Sequence, residues 1–351
     1  MLTFSQRIKI LPIKIILYCM WAVDSIGNLP DVIITNTARA GTVVVLVSFF
    51  LTGTATNNFS LYVQEQMSYI PRGIIWSLYG TQHVPGMYAA DVLGAKKVKD
   101  EFPIKVGEVV NPVITAKSAL VADVGNNKFI YQFQDESLMA PASTTKLMTA
   151  MVAIDLYGLD ETLTTPAFCT TVESSRAGLV EDEKVAVREL IKSLLIASAG
   201  DSACVLATGK MSYTDFVNLM NDKARALGMD NTYFTNPVGL DGIDGSHYST
   251  AQDLYKLSKS AMRNEFINEI VSTKDFMFGT VKLYNTNKLL WEIPHTVGVK
   301  TGTTTEAGQV LIYEYRDDDK DLMIIVMGSE DRFEDTAKLL EWANKSFTWT
   351  R

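Results

Sequence analysis

From residue 111 to residue 347 the sequence sets strand-like segments at both ends of a helical middle, and that order limits the fold more than any other feature. Residues 118–124 and 128–132 flank Gly125-Asn126-Asn127, a pattern that predicts a β-hairpin. Residues 143–157 carry Leu147, Met148, Met151 and Ile154 at helical spacing, with Gly158 just past the end as a candidate C-cap. A second amphipathic pattern, 187–196, stops at Ser198-Ala199-Gly200. Thr250-Ala251-Gln252-Asp253 starts a third, with Asp where a capping box prefers Glu or Gln. Further on, residues 296–300, 309–315 and 322–327 read as strands, 316–320 as a charged turn and 330–347 as a final helix. Strands at the two ends of such a segment can pair only around the helices between them. The expected class is α+β, an antiparallel sheet with helices packed on it.

The first hundred residues have another character. Residues 40–64 carry no charge and open with AGTVVVLVSFFLTGTA. Arg39 precedes this run, and Arg7, Lys9 and Lys14 lie upstream. Basic residues on that side hold it in the cytoplasm when the apolar run inserts in a membrane. The run is shorter than the ~20 residues of a full span, so residues 54–59 would have to complete it. A buried core helix stays open as an alternative, and so does a cleaved signal, because Gly53-Thr54-Ala55 has the small-x-Ala form. The expected partition is a juxtamembrane segment (1–38), a membrane anchor or signal (39–60), a linker (61–108) and a folded domain (109–351).

Hydrophobic content of 47% and charged content of 21% are those of a globular protein. A formal charge of −8 argues against a nucleic-acid partner, since phosphate binding needs a basic face. Cys19, Cys169 and Cys204 form no spaced framework and allow at most one disulfide. His83, His247 and His295 lie far apart, outside any metal-ligand spacing, so neither a metal nor another cofactor is expected.

Three short elements carry the chemistry. Ser143-Thr144-Thr145-Lys146 opens the first helical pattern, directly after Pro141-Ala142. Positions i and i+3 share a helix face, so the Lys146 amine can reach the Ser143 hydroxyl. A serine needs a base before it attacks, and a lysine serves when burial or nearby cations depress its pKa. A helix N-terminus adds backbone N–H groups suited to an oxyanion. Ser198 lies some fifty residues downstream, at a helix–loop junction, and Lys300-Thr301-Gly302 lies on a predicted edge strand. An ammonium, a hydroxyl and a closely approaching backbone suit a substrate carboxylate. Each element alone has an ordinary structural reading: Ser143 or Ser198 as an N-cap, Lys146 as a solvated side chain, Lys-Thr-Gly as a strand end. All three in this order are specific.

In these elements the sequence resembles the penicillin-binding proteins and serine β-lactamases, with their Ser-x-x-Lys, Ser-x-Asn and Lys-Thr-Gly motifs. MAPASTTKLMTAMVA, LGMDNTYFTNPVGLDG, SHYSTAQDL and VGVKTGTTTEAG look like the low-molecular-weight D-alanyl-D-alanine carboxypeptidases within that group, over residues 111 to 347. The resemblance implies a DD-peptidase fold, a sheet flanked by a helical subdomain, and a substrate that is a peptidoglycan stem peptide ending in D-Ala-D-Ala. β-Lactams are the inhibitors it implies. Ser143 would attack and form an acyl-enzyme, Lys146 would be the base, and Ser198 would relay a proton with electrostatic help from Lys300. Thr301 and Lys300 would hold the terminal carboxylate, and the Ser143 and Thr303 N–H groups would form the oxyanion hole. Gly302 completes the Lys-Thr-Gly element, and Arg332 stands where similar sequences place an arginine near the carboxylate, its other reading being a solvated residue at a helix start. His247 reads as structural.

The sequence departs from the pattern at Gly200, where the family usually has asparagine. Asp201, Ser202 or a water could stand in for that amide, and an impaired, wall-binding protein is the alternative that the glycine favours. Restoring asparagine is expected to leave activity equal or higher. A DD-endopeptidase would use the same chemistry with another cleft. A class A β-lactamase needs a deacylating glutamate, and none occurs between Glu189 and Glu265. A Ser-His-Asp hydrolase would need a GxSxG elbow, which the sequence lacks.

Overall fold

The computed structural model describes residues 103–107 and 109–349. The expected membrane segment at 39–60, the segment before it and most of the linker lie outside these residues. Among the described residues no helix is long and apolar enough to cross a membrane.

Five strands form the central sheet: β1 (Ser118–Asp123), β2 (Lys128–Phe133), β3 (Thr296–Thr304), β4 (Gly308–Arg316) and β5 (Asp321–Ser329). Their order is β2-β1-β5-β4-β3, antiparallel throughout. In the middle strand, Ile324 stands opposite Val121 on one side and Tyr313 on the other. Successive side chains of a strand point to opposite faces, and here both faces are covered. Leu120, Ala122, Val310, Ile312, Met323, Ile325 and Met327 face the larger helical layer. Val121, Leu311, Tyr313, Leu322, Ile324 and Val326 face Leu339, Leu340, Trp342 and Ala343 of the last helix. A sheet covered on both sides needs no polar alternation, which is why DLMIIVMGS reads as one continuous apolar run. Each fully buried aliphatic side chain of this kind contributes about 1.5–3 kcal/mol.

The helices are α1 (Thr145–Leu156), α2 (Val187–Ile196), α3 (Gly200–Thr208), α4 (Tyr213–Ala226), α5 (Ala251–Ala261), α6 (Glu265–Ser272), the one-turn α7 (Leu289–Glu292) and α8 (Arg332–Ser346). Helices α1 to α4 pack on one another, α5 lies against β1 and β5, and α6 against β3. Thr250 caps α5 as expected, accepting from the Asp253 N–H at 3.1 Å. The predicted glycine cap on α1 does not form. The chain leaves that helix through an extended Tyr157 (φ −122°, ψ 147°), whose hydroxyl donates to the Leu206 carbonyl at 2.7 Å. That bond anchors the exit to α3, so Gly158 has no capping role to fill.

Strand β3 continues to Thr304, past the expected end at residue 300, because Thr301 pairs with Leu311 and Thr303 with Gln309. Lys300-Thr301-Gly302 therefore lies within the edge strand, next to the short turn of helix at Ala142–Thr144. Ile104–Lys105 also pairs with Phe347–Thr348, tying the chain ahead of residue 109 to the end of α8.

Candidate active site

Ser143 does not open α1 as its cap. It sits in a 3-10 turn, Ala142–Thr144, that leads into the helix, and neither this turn nor α1 is capped by a side chain at its start. Thr144 fastens the turn by donating its hydroxyl to the Pro141 carbonyl at 2.6 Å, and Ala142 is held in the left-handed region at φ +50°. That conformation costs a non-glycine residue about 1–2 kcal/mol and persists only where its surroundings enforce it. The result is a serine whose oxygen is left free for chemistry. Its partner is Lys146, whose Nζ lies 2.8 Å from Ser143 Oγ.

Lys146 is completely buried. Its Nζ also donates to the Val238 carbonyl at 2.7 Å and approaches Ser174 Oγ at 3.4 Å. Burial draws its pKa from 10.5 down to about 7, against an opposing pull from the Asp201 carboxylate. An amine in that range is substantially neutral near neutral pH and can accept a hydroxyl proton. The loop that delivers Val238 is shaped by Asn236, whose side-chain carbonyl accepts from the N–H groups of Val238, Gly239 and Leu240 at 2.7–3.1 Å.

Ser198 lies in the corner between α2 and α3. It is no N-cap: Ala199 holds that position, without a side-chain bond. Ser198 has φ +60°, a left-handed backbone that places its hydroxyl 3.0 Å from Lys300 Nζ. Lys300 is buried too and donates to the Thr301 carbonyl at 3.0 Å. Its pKa lies well below the ordinary lysine value, through burial first and then the nearby Lys146 and Arg332 charges. Among the described residues the hydrogen-bond partners of Lys300 Nζ are neutral oxygens, and a substrate carboxylate would supply an opposite charge.

Thr301 is buried, and its hydroxyl pairs with that of Thr286 at 2.6 Å. Gly302 fits tightly against the serine turn: a Cβ there would come within 2.8 Å of Ala142 Cβ and 2.9 Å of the Ser143 nitrogen. Only a glycine lets the edge strand approach this closely. Arg332 is the first residue of α8, yet it is not a solvated helix start. Its guanidinium donates to the Gly302 carbonyl at 2.7 Å and the Thr303 hydroxyl at 2.6 Å, bracing the strand. His247 is buried and accepts at Nδ1 from the Thr235 N–H at 3.0 Å, which leaves the proton of the neutral ring on Nε2, 2.9 Å from Thr145 Oγ1. Burial lowers its pKa to about 4, so it stays neutral and serves as a brace for α1.

The structure thus brings Ser143, Lys146, Ser198, Lys300, Thr301 and Gly302 into two linked clusters, with Arg332 supporting the strand. Val238, Thr286 and Ser174 are additions that the motifs do not contain. Val238 lies within the LGMDNTYFTNPVGLDG stretch that carries the family resemblance, but nothing local marked its carbonyl as a lysine partner.

A family model described as D-alanyl-D-alanine carboxypeptidase matches residues 105–331. The chain belongs to that family. D-alanyl-D-alanine carboxypeptidase DacF of Bacillus subtilis is 30% identical over 242 residues, 65% of this chain and 62% of its own length. The chain therefore spans less than two thirds of that relative. A D-alanyl-D-alanine endopeptidase of Escherichia coli is 32% identical over 247 residues, 66% of this chain and 78% of its own length. Among solved structures, a D-alanyl-D-alanine carboxypeptidase of Mycobacterium tuberculosis superposes with a TM-score of 0.65 at 28% identity, over 70% of this chain and 99% of that one. The fold is that of the DD-peptidases and penicillin-binding proteins.

Proposed function

We propose that this protein is a serine D-Ala-D-Ala carboxypeptidase that removes the terminal D-alanine from peptidoglycan stem peptides. The observation that carries the reading is the buried Lys146 amine, 2.8 Å from Ser143 Oγ and with a pKa near 7. Neutral Lys146 takes the Ser143 proton as Oγ adds to the penultimate D-alanine carbonyl. The N–H groups of Ser143 and Thr303 receive the oxyanion. As the tetrahedral adduct collapses, the C–N bond breaks, Ser198 gives its hydroxyl proton to the departing D-alanine amine and regains the proton that Lys146 took from Ser143, while Lys300 and Thr301 hold the D-alanine carboxylate. Water then attacks the acyl-enzyme as neutral Lys146 takes its proton, the ester C–O bond breaks, and Lys146 returns that proton to Ser143 Oγ. A β-lactam would stop after the first acylation.

Both sides of the membrane offer different redox conditions, and the disulfide between Cys169 and Cys204 supports an extracytoplasmic location, since such bonds persist in oxidising compartments. Arg39 ahead of the apolar run supports anchoring at 39–60 with the catalytic domain outside. The test is release of D-alanine from a D-Ala-D-Ala peptide by the full chain: turnover by the native protein and none by Ser143→Ala supports the reading, and turnover by the variant refutes it. The Escherichia coli relative favours one second reading, cleavage of D-Ala cross-links by the same residues. Cross-linked dimers offered beside the stem peptide separate the two.

A further inference from the structure

Gly200 stands where the family pattern expects asparagine, and its surroundings explain what replaced the amide. Its φ lies outside the left-handed region, so the backbone does not demand a glycine. Space does. A Cβ at position 200 would come 2.5 Å from Ser174 Cβ, 2.8 Å from Ser174 Oγ and 3.2 Å from Val238 Cγ1. Ser174 fills the volume into which a side chain at 200 would grow, and its hydroxyl reaches Lys146 Nζ at 3.4 Å.

Valence shows why that hydroxyl is needed. A neutral amine has two N–H bonds and one lone pair, and the lone pair must point at Ser143 for Lys146 to act as a base. Val238 O can only accept, so it takes one N–H. Among the described residues Ser174 Oγ, at 3.4 Å, is the other oxygen in reach of the amine and takes the second. Together the two acceptors fix the rotation of the amine.

The other stand-ins are engaged elsewhere. The Asp201 carboxylate accepts from the N–H groups of Ala177, Gly178 and Leu179 at 2.9–3.2 Å, and the Ser202 hydroxyl pairs with Ser193 at 2.6 Å. The Asp201 bonds hold the segment that carries Ser174 against α3. The Gly200 N–H adds another bond, to the Ser175 carbonyl at 2.6 Å, and the disulfide from Cys169 to Cys204 ties the same segment to the same helix.

We infer that Ser174 is a positioning residue for the general base, and that Gly200 and Ser174 form a reciprocal pair in which the missing side chain of one makes room for the hydroxyl of the other. This rests on the carboxypeptidase reading above. It also reverses the expectation that asparagine at 200 would be harmless, because that side chain now meets an occupied site.

The test is the acylation of the full chain by a fluorescent penicillin, followed in time to separate the rate constant of acylation from initial binding, with thermal unfolding measured beside it. Ser174→Ala should keep its binding constant and melting temperature while its acylation rate falls roughly five- to tenfold, the scale of one hydrogen bond. Gly200→Asn alone should acylate at least about tenfold more slowly and melt earlier, as overpacking predicts. Gly200→Asn with Ser174→Gly should return to within about threefold of the native rate, because the amide regains its space and offers Lys146 the lost acceptor. The inference is overturned if Ser174→Ala acylates like the native protein, or if Gly200→Asn alone matches or exceeds it. A native protein that forms no adduct at all would instead remove the carboxypeptidase reading, and this inference with it.

Discussion

Lys300 Nζ donates to Ser198 Oγ across 3.0 Å, joining the edge strand of the sheet to a helix corner 102 residues earlier. The bond depends on a backbone that serine does not favour, φ +60° at Ser198. Strain of this kind is retained where function requires the side chain. Replacing Ser198 with glycine relieves the backbone and deletes the hydroxyl in one step. Ser198→Gly should therefore melt at the same temperature or higher, while D-alanine release falls about 10²-fold, the lower range for a lost proton-transfer group. Equal activity, or a marked loss of stability, would contradict the assigned role.

The buried Lys146 predicts the pH dependence of both activity and stability. The base works in its neutral form, so kcat/KM should rise with pH through about 7 and then level off. Stability follows from the same shift, with this sign. The folded pKa lies below the ordinary value, so between about 7 and 10.5 the unfolded chain binds a proton that the folded one does not. Lys146 therefore weakens the fold most at and below pH 7, and the penalty fades as pH rises toward 10.5. Lys146→Met should be inactive, yet more stable than the native protein at pH 7, with the gap narrowing at higher pH. Denaturant unfolding of both proteins across that range measures it.

Arg332 braces the Lys-Thr-Gly strand with bonds to the Gly302 carbonyl and the Thr303 hydroxyl. Both partners belong to the wall expected to face the substrate carboxylate. Arg332→Ala should raise KM roughly tenfold and change kcat little, since charge-assisted bonds of this type contribute about 1.5–3 kcal/mol. Arg332→Lys should rescue only part of the loss, because an ammonium lacks the planar fork of donors. Steady-state kinetics of the two variants tests this.

Much of this architecture was legible in the sequence, and the reasons are local. The hairpin at 118–133 announced itself through Gly125-Asn126-Asn127, and the last two strands through their apolar runs. Ser143 and Lys146 sit one helical turn apart in any helix, so their contact needed no tertiary knowledge. The details that escaped depend on distant chain segments. The α1 exit is fixed by Leu206 rather than by Gly158, and β3 runs through Thr304 because β4 pairs with it. Thr286 and Ser174 reach the site only through folding and lie in none of the family-like stretches, and Val238, inside one of them, carried no mark as a lysine partner. Gly200 was conspicuous as a missing amide, but only the position of Ser174 shows that the gap is filled.

The central claim is that Ser143 becomes covalently acylated with Lys146 as its base. Intact-mass and peptide-mass analysis of the full chain after exposure to penicillin tests it most directly. The account predicts a single adduct on the peptide containing Ser143 in the native protein, and none in Ser143→Ala or Lys146→Ala within the same time. An adduct on another residue, or one that persists in either variant, would contradict it.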